Sequence, residues 1–175
     1  MADATASHAA VELTSGTWQV EPAGSEIGFA VRTFWGILPV KGTFERFSGA
    51  LNVRDGGADG ELKIEAASLN TKNKMRDGHL RSADFFDVEN HPEVVFTLTS
   101  ISLDGAGAKV AGTLSVREAS LPLELSADLS SSDASHVKLT ASTRVTRQQA
   151  GMTWNRAGMI AGDADLHVEL ALALQ

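Results

Sequence analysis

The chain has 175 residues and a net charge of −7, which suits one domain with its own core and disfavours binding to nucleic-acid phosphates. It has no cysteine, which excludes disulfides, thiolate nucleophiles and thiolate metal sites. No apolar run approaches the ~18 residues of a transmembrane helix, and the N-terminus lacks the basic and apolar stretches of a signal peptide. As written, the sequence predicts a cytoplasmic protein; a leader removed from it would indicate a periplasmic or secreted one.

The chain begins with a segment that has no sustained period. We interpret residues 1–16 as a flexible N-terminal arm and residues 17–175 as a single domain. Within that domain, apolar residues occupy every second position in six segments, which is typical of strands with one buried face. These segments are residues 25–32, 61–66, 109–116, 121–129, 137–145 and 165–174.

Turn signals separate these segments. Clusters of Gly, Asp and Ser lie at residues 55–60, 104–107 and 130–135, as in connections between antiparallel strands. No segment of helix length lies between the strands, so crossover connections are disfavoured. The pattern predicts an all-β sandwich or barrel.

Residues 72–83 break the alternation. Met75 and Leu80 fit one face of a helix, and Gly78 weakens that helix by about 1 kcal/mol. A proline at Pro92 then favours a turn. We expect one short helix, of low local stability, that acts as a gate.

Many strand positions carry glycine or alanine, which indicates either a ligand cavity or an alanine-rich composition. If there is a lumen, the apolar phase of the strands predicts which residues line it. The predicted inward residues are Phe29, Val31, Phe44, Leu62, Ile64, Phe96, Leu114, Leu123 and Val168.

The sequence offers few candidates for catalysis. No nucleotide-binding or nucleophile-elbow motif is present, and no two histidines have the spacing of a metal site, so we expect no metal and no cofactor. His79 with Asp77 or Asp84 could form the base and orienting acid of a small hydrolase or isomerase. The alternative is that His79 makes a structural hydrogen bond.

Donors and aromatic residues near the predicted helix suggest a polar end for a ligand. Arginine and neutral histidine can donate to a phosphate or a quinone oxygen, and the alternative is that the arginines pair with Asp77, Asp84 or Asp87. Trp35 and Trp154 could each either anchor the core or line the mouth of a cavity, and the sequence leaves both alternatives open. The residues predicted to contact ligand here are Trp35, Arg76, His79, Leu80, Phe86, Arg147 and Trp154.

Five blocks in this order resemble the YceI-like polyisoprenoid-binding proteins. They are TWQVEPAGSEIGFAVR, VKGTFERFSGAL, SLNTKNKMRDGHLRSADFFDVENHPEVVF, GTLSVREASLPLEL and TRQQAGM, and the resemblance runs from about Trp18 to Leu174. The middle block is the most specific of the five. The resemblance implies a single extended, eight-stranded antiparallel lipocalin-like barrel with one short helix near the opening.

The resemblance also implies a function. Members of this bacterial family bind, store or carry a long-chain isoprenoid lipid, such as an isoprenoid quinone or a polyprenyl phosphate, or a similar amphiphile. Such a lipid would be the bound ligand and the partner of this chain, which we do not expect to be an enzyme. A homodimer is left open.

Overall fold

A computed structural model describes residues 11–175, in which apart from one short helix and one 3-10 turn the regular structure is all strand. The helix begins inside the segment predicted for it and is shorter at both ends. The elements are β1 Gly16–Thr33, β2 Leu38–Phe44, β3 Phe47–Arg54, β4 Gly57–Glu65, a 3-10 turn Ala66–Ser68, β5 Leu69–Asn70, α1 Lys74–Arg81, β6 Glu93–Asp104, β7 Gly107–Val116, β8 Ala119–Asp133, β9 His136–Thr146 and β10 Asp163–Leu174.

The strands form one antiparallel sheet that closes when β1 pairs with β10. On its other edge, β1 pairs with β3 along its first half and with β2 along its second half. Strands β2 and β3 therefore act as one barrel strand, and the predicted eight-stranded barrel is confirmed. At the break between β2 and β3, the backbone amides of Glu45 and Arg46 donate hydrogen bonds to Ser68 Oγ.

The connections between strands are shorter than the turn signals predict. Gly57 already pairs with Arg54, and Asp133 still pairs with His136, so each connection needs only two residues. Gly56 and Gly105 have φ of +89° and +64°, a region that glycine adopts without strain. The remaining Gly, Asp and Ser residues of these clusters extend the ladders instead of looping out.

One end of the barrel is closed by Trp18. Its side chain is fully buried, lies level with Leu51 and Leu174, and donates from Nε1 to the Thr14 carbonyl at 2.9 Å. Val11 is buried beside it, and its amide donates to the Gly105 carbonyl. Residues 1–10 of the predicted arm lie outside the described residues. Residues 11–15 lie against the closed end, where Val11 and Thr14 make the contacts given above.

The interior differs in bulk along its length. Near the closed end the core includes four alanines, whereas towards the other end it includes two and is otherwise built from larger side chains. Glycines make room for two of these: a Cβ at Gly42 would lie 2.5 Å from the Phe29 ring, and one at Gly112 would overlap the ring of Phe96. Small residues on one strand thus allow aromatic rings of the next strand to lie flat along the wall. The four alanines are Ala58, Ala108, Ala127 and Ala141.

The β8–β9 turn carries an exposed ion pair that should titrate. Asp133 accepts from His136 Nδ1 at 2.9 Å, and this contact raises the pKa of His136 above its ordinary value. The same contact, together with hydrogen bonds from the amide and hydroxyl of Ser135, lowers the pKa of Asp133 to about 2. The contribution of the pair to stability is therefore fully present between about pH 4 and pH 6.5, and it is lost as pH rises through the raised folded pKa of His136. It is also lost as pH falls from about 4 towards 2.

We expect an NMR titration of the His136 ring to give a raised pKa in the wild-type protein. In Asp133→Asn the His136 pKa should return towards 6.5. An unchanged His136 pKa in Asp133→Asn would contradict the assignment of Asp133 as its cause.

Candidate functional site

The barrel encloses a cavity of about 440 Å³ with an almost wholly apolar wall. This volume lies within the range of roughly 300–1,000 Å³ that is usual for ligand pockets. All nine residues predicted to face inward line it, because the period-two alternation holds in the part of each strand where they lie, away from the register shifts of β1, β6 and β8. The cavity extends from Val20 and Leu172, one layer above Trp18, to the half-buried residues Arg76 and His79 at its mouth.

Sequence reasoning missed other lining residues of the same cavity. Leu139, Leu166 and Leu170 follow the same alternation on β9 and β10, so the signal that found Val168 also applies to them. Met152 and Ile160 come from the β9–β10 connection, which has no period to read.

Two groups of aromatic rings shape the upper half of the cavity. Phe86 lies with its ring centroid 5.6 Å from that of Phe44, and Phe29 contacts both. Nearer the mouth, the rings of His79 and Trp154 meet edge to face at 4.5 Å, with Phe85 beside them. Trp154 therefore lines the mouth, and Phe86 lines the cavity beside Phe29 and Phe44.

Helix α1 is fastened to the segment that precedes it. Asn73 caps its N-terminus by accepting from the Arg76 amide at 3.0 Å. The buried carboxylate of Asp77 accepts from both the amide and the hydroxyl of Thr71, while Arg76 donates to the Thr71 hydroxyl and carbonyl. Arg81 adds hydrogen bonds to the carbonyls of residues 67 and 69.

This arrangement bears on two predictions. Of the two acids predicted as partners of His79, Asp84 is in contact, with 2.8 Å between Nε2 and Oδ2, and Asp77 is not, so the pairing of His79 with Asp77 is wrong. Residues two apart on a helix point about 200° away from each other, so Asp77 faces the barrel while His79 faces the mouth. Arg76 bonds to Thr71 instead of an acid, so the predicted arginine–carboxylate pairs are wrong for this residue.

The fastening predicts how the helix opens. We expect α1 amides to exchange faster than those of residues 110–116 and 137–145, because α1 is short and mostly exposed. Thr71→Val should speed α1 exchange further, since it removes two hydrogen bonds worth about 1 kcal/mol each. Hydrogen exchange with mass spectrometry measures both effects, and Thr113→Val on the outer face of β7 is the control. Exchange in α1 as slow as in β7, unchanged by Thr71→Val, would show a fixed plug.

Arg147 places a buried cation in the apolar wall. It lies just after β9, is 5% exposed, and donates to the carbonyls of Met152, Trp154, Ile160 and Ala161. Burial lowers the pKa of Arg147 from its ordinary value, yet an arginine stays protonated in proteins. Across residues 11–175 its hydrogen bonds go to carbonyls and not to a carboxylate, so the predicted pairing with an acid is wrong here too.

Trp35 is the predicted contact that the structure places elsewhere. It lies in the β1–β2 connection, is 69% exposed, and does not line the cavity. It adopts a positive φ of 55°, and its amide donates to the Met159 carbonyl at 3.3 Å. The turn points the indole away from the lumen, so the interpretation of Trp35 as a mouth-lining aromatic is wrong.

Within residues 11–175, no group of three His, Cys, Asp or Glu side chains could hold a metal ion. In the same part of the chain, no helix has the length and apolarity needed to cross a bilayer.

Comparisons with known proteins agree with this geometry. Residues 18–172 match the model of the YceI-like domain. The UPF0312 protein plu2095 of Photorhabdus laumondii is 35% identical over 106 residues, which are 59% of this chain and 55% of that protein. Protein YceI of Escherichia coli is 35% identical over 91 residues, 50% of this chain and 48% of that protein. The matched stretch thus spans about half the length of these relatives.

Solved structures share the fold at low sequence identity. Burkholderia cenocepacia BcnA has a TM-score of 0.78 at 16% identity, covering 87% of this chain and 98% of its own. A polyisoprenoid binding domain from Saccharophagus degradans has a TM-score of 0.77 at 13% identity, covering 90% and 98%. The Campylobacter jejuni YceI protein has a TM-score of 0.71 at 24% identity, covering 79% and 87%. With the family model matched over nearly its whole length, the chain belongs to the YceI-like domain family.

Proposed function

We propose that this protein binds, stores or carries a long-chain amphiphile, with an isoprenoid tail in the lumen and a polar head at the mouth. The observation that carries the proposal is the long apolar cavity with a buried arginine in its wall. Membership of the YceI-like family supports it, as does the description of the S. degradans neighbour as a polyisoprenoid binding domain.

The tail would be held by apolar burial alone. Each Å² of hydrocarbon removed from water contributes roughly 25 cal/mol, reduced by the entropy lost when a flexible chain is ordered. The wall offers methyl groups and aromatic faces with almost no polar atoms, so it would not distinguish one apolar tail from another by its chemical groups. Selectivity would therefore depend on tail length and on the head.

The head group would be read by donors at the mouth. Four of the five guanidinium N–H groups of Arg147 donate to carbonyls, which leaves one for a ligand oxygen. Because the guanidinium keeps its charge, a phosphate gains more from it than a neutral oxygen does. We infer that polyprenyl phosphate suits this mouth best, and that an isoprenoid quinone would bind through its carbonyl oxygen.

The proposal assigns no catalysis to the site. A hydrolase or isomerase using His79 with Asp77 would need these side chains to meet, and Asp77 is instead bonded to Thr71. His79 keeps a contact with Asp84 at the mouth, where it could donate to a head group. No further cofactor is part of this proposal.

Native mass spectrometry after gentle purification, followed by organic extraction, tests the function. We expect an adduct that disappears on extraction, and a lipid with a long apolar chain in the organic phase. Protein recovered without lipid that also fails to take up added polyprenyl phosphate and added isoprenoid quinone would refute the proposal.

A further inference from the structure

The β1–β2 connection exposes an unusual amount of apolar surface. Phe34, Trp35, Ile37 and Leu38 are all exposed, with Trp35 at 69% and Ile37 at 76%. We call these residues the hairpin tip. Single exposed apolar residues are ordinary, but four large ones within five positions form a patch that marks an interaction site. Phe34 and Trp35 also hold positive φ angles, which aromatic residues seldom adopt.

The hairpin tip lies directly beyond the mouth of the cavity. Thr33 and Val40, at the two bases of the tip, line the cavity. The connection 147–162 borders the tip through the hydrogen bond from Trp35 to Met159. The antiparallel pairing of β5 with β2 carries residues 71–76 towards the same end, where Met75 is exposed on α1.

The three segments that flank the hairpin tip carry charges of one sign. Residues 32–43, 71–76 and 147–162 hold seven of the 15 lysines and arginines of the chain and none of its 22 acidic residues. An otherwise acidic protein therefore presents a basic rim beside its apolar tip, while acidic residues such as Asp84 lie elsewhere at the mouth. The exposed cations of this rim are Arg32, Lys41, Lys72, Lys74 and Arg156.

We propose that the hairpin tip and the basic rim dock the protein mouth-first on an anionic bilayer surface. Tryptophan and aliphatic side chains settle at the level of the lipid headgroups, and lysine and arginine are drawn to anionic leaflets. Docked in this way, the lumen opens onto the bilayer, and a lipid tail passes between the two without crossing water. This last consequence rests on the proposed function, whereas docking itself does not.

Co-sedimentation with phosphatidylcholine vesicles, with and without phosphatidylglycerol, tests the docking. We expect binding to the anionic vesicles that weakens as salt is raised. The emission of Trp35, the most exposed of the three tryptophans, should shift to the blue on binding. The double variant Trp35→Ser/Ile37→Ser should lower partitioning by about tenfold or more. Leu103→Ser, which removes a 41%-exposed residue at the closed end, should leave it unchanged.

Charge reversal gives a second, independent set. Lys41→Glu/Lys74→Glu should remove most of the preference for phosphatidylglycerol, and Lys109→Glu on the outer face of β7 should not. All these positions are exposed, so the variants should fold, and their melting temperatures check this. Binding that is absent from anionic vesicles, or equally reduced by the control variants, would overturn the proposal. The proposal would also be overturned if light scattering showed a wild-type dimer that the tip variant converts to a monomer, while neither protein binds vesicles.

The two proposals fail separately. Vesicle binding by a protein that takes up no lipid would refute the proposed function and leave the docking in place. Lipid uptake from detergent without any vesicle binding would refute the docking alone.

Discussion

Replacing Leu114 by lysine is expected to abolish retention of lipid. Leu114 is buried in the upper half of the lumen, level with Phe96 and Leu121, and lines the cavity. An ammonium group placed there would lie against an almost wholly apolar wall, and the lost packing and the buried charge together remove roughly 3–5 kcal/mol of stability. The same charge would lie against the hydrocarbon tail. Native mass spectrometry and a melting curve measure the two effects.

Two further variants separate loss of the lumen from loss of the fold. Thr113→Lys puts the same charge on the outer face of β7 and should keep both lipid and melting temperature. Leu114→Trp fills the lumen without a charge, so it should fold and bind less lipid, with the longest tails affected most. If Leu114→Lys folds and still carries lipid, the assigned inner face of β7 is wrong.

Replacing Arg147 by alanine is expected to weaken both the loop and the head-group preference. The guanidinium holds four carbonyls of residues 152–161, and leaving them without a donor costs about 2–4 kcal/mol after water has entered. Affinity for a polyprenyl phosphate should fall at least tenfold, while affinity for the matching polyprenyl alcohol should change much less. Ligand competition in native mass spectrometry gives both affinities from one sample.

Arg144→Ala is the matched control for Arg147. Arg144 lies on the outer face of β9, the strand that Arg147 follows, in an exposed pair with Asp165, and its loss should move neither the melting temperature nor the ligand preference appreciably. Equal weakening of phosphate and alcohol by Arg147→Ala, together with a lower melting temperature, would make Arg147 a structural brace and place the head group elsewhere.

The walls of the barrel could be predicted from the sequence, and its corners could not. Period-two alternation identifies the inner face of each strand without any knowledge of strand order, which is why Leu62, Leu114 and Val168 were placed correctly. The break at residues 45–46 has no such signal, because it depends on Ser68, which is distant in sequence. Likewise, only pairing partners reveal that a Gly, Asp or Ser residue extends a ladder instead of forming a turn.

The mouth shows the same division. His79, Leu80 and Trp154 could be assigned because the helix and its flanking aromatics stand out against the strands. The partners of Arg147 are backbone carbonyls in a connection without sequence periodicity. Because every residue has a carbonyl, the sequence does not indicate which of them accept from Arg147. The basic rim combines three segments that are far apart in the sequence, so its single sign of charge emerges only when the barrel closes.

The floor made by Trp18 turns the lumen into a blind tube. Strands of ten residues at about 3.3 Å each give a wall of ~30 Å, and the usable depth ends where the indole begins. A tail shorter than this depth would fit entirely inside the lumen. The end of a longer tail would stay outside, and its head group would then lie beyond Arg147. The barrel would therefore select tails by length, and the size of the side chain at position 18 would set the greatest length that fits inside.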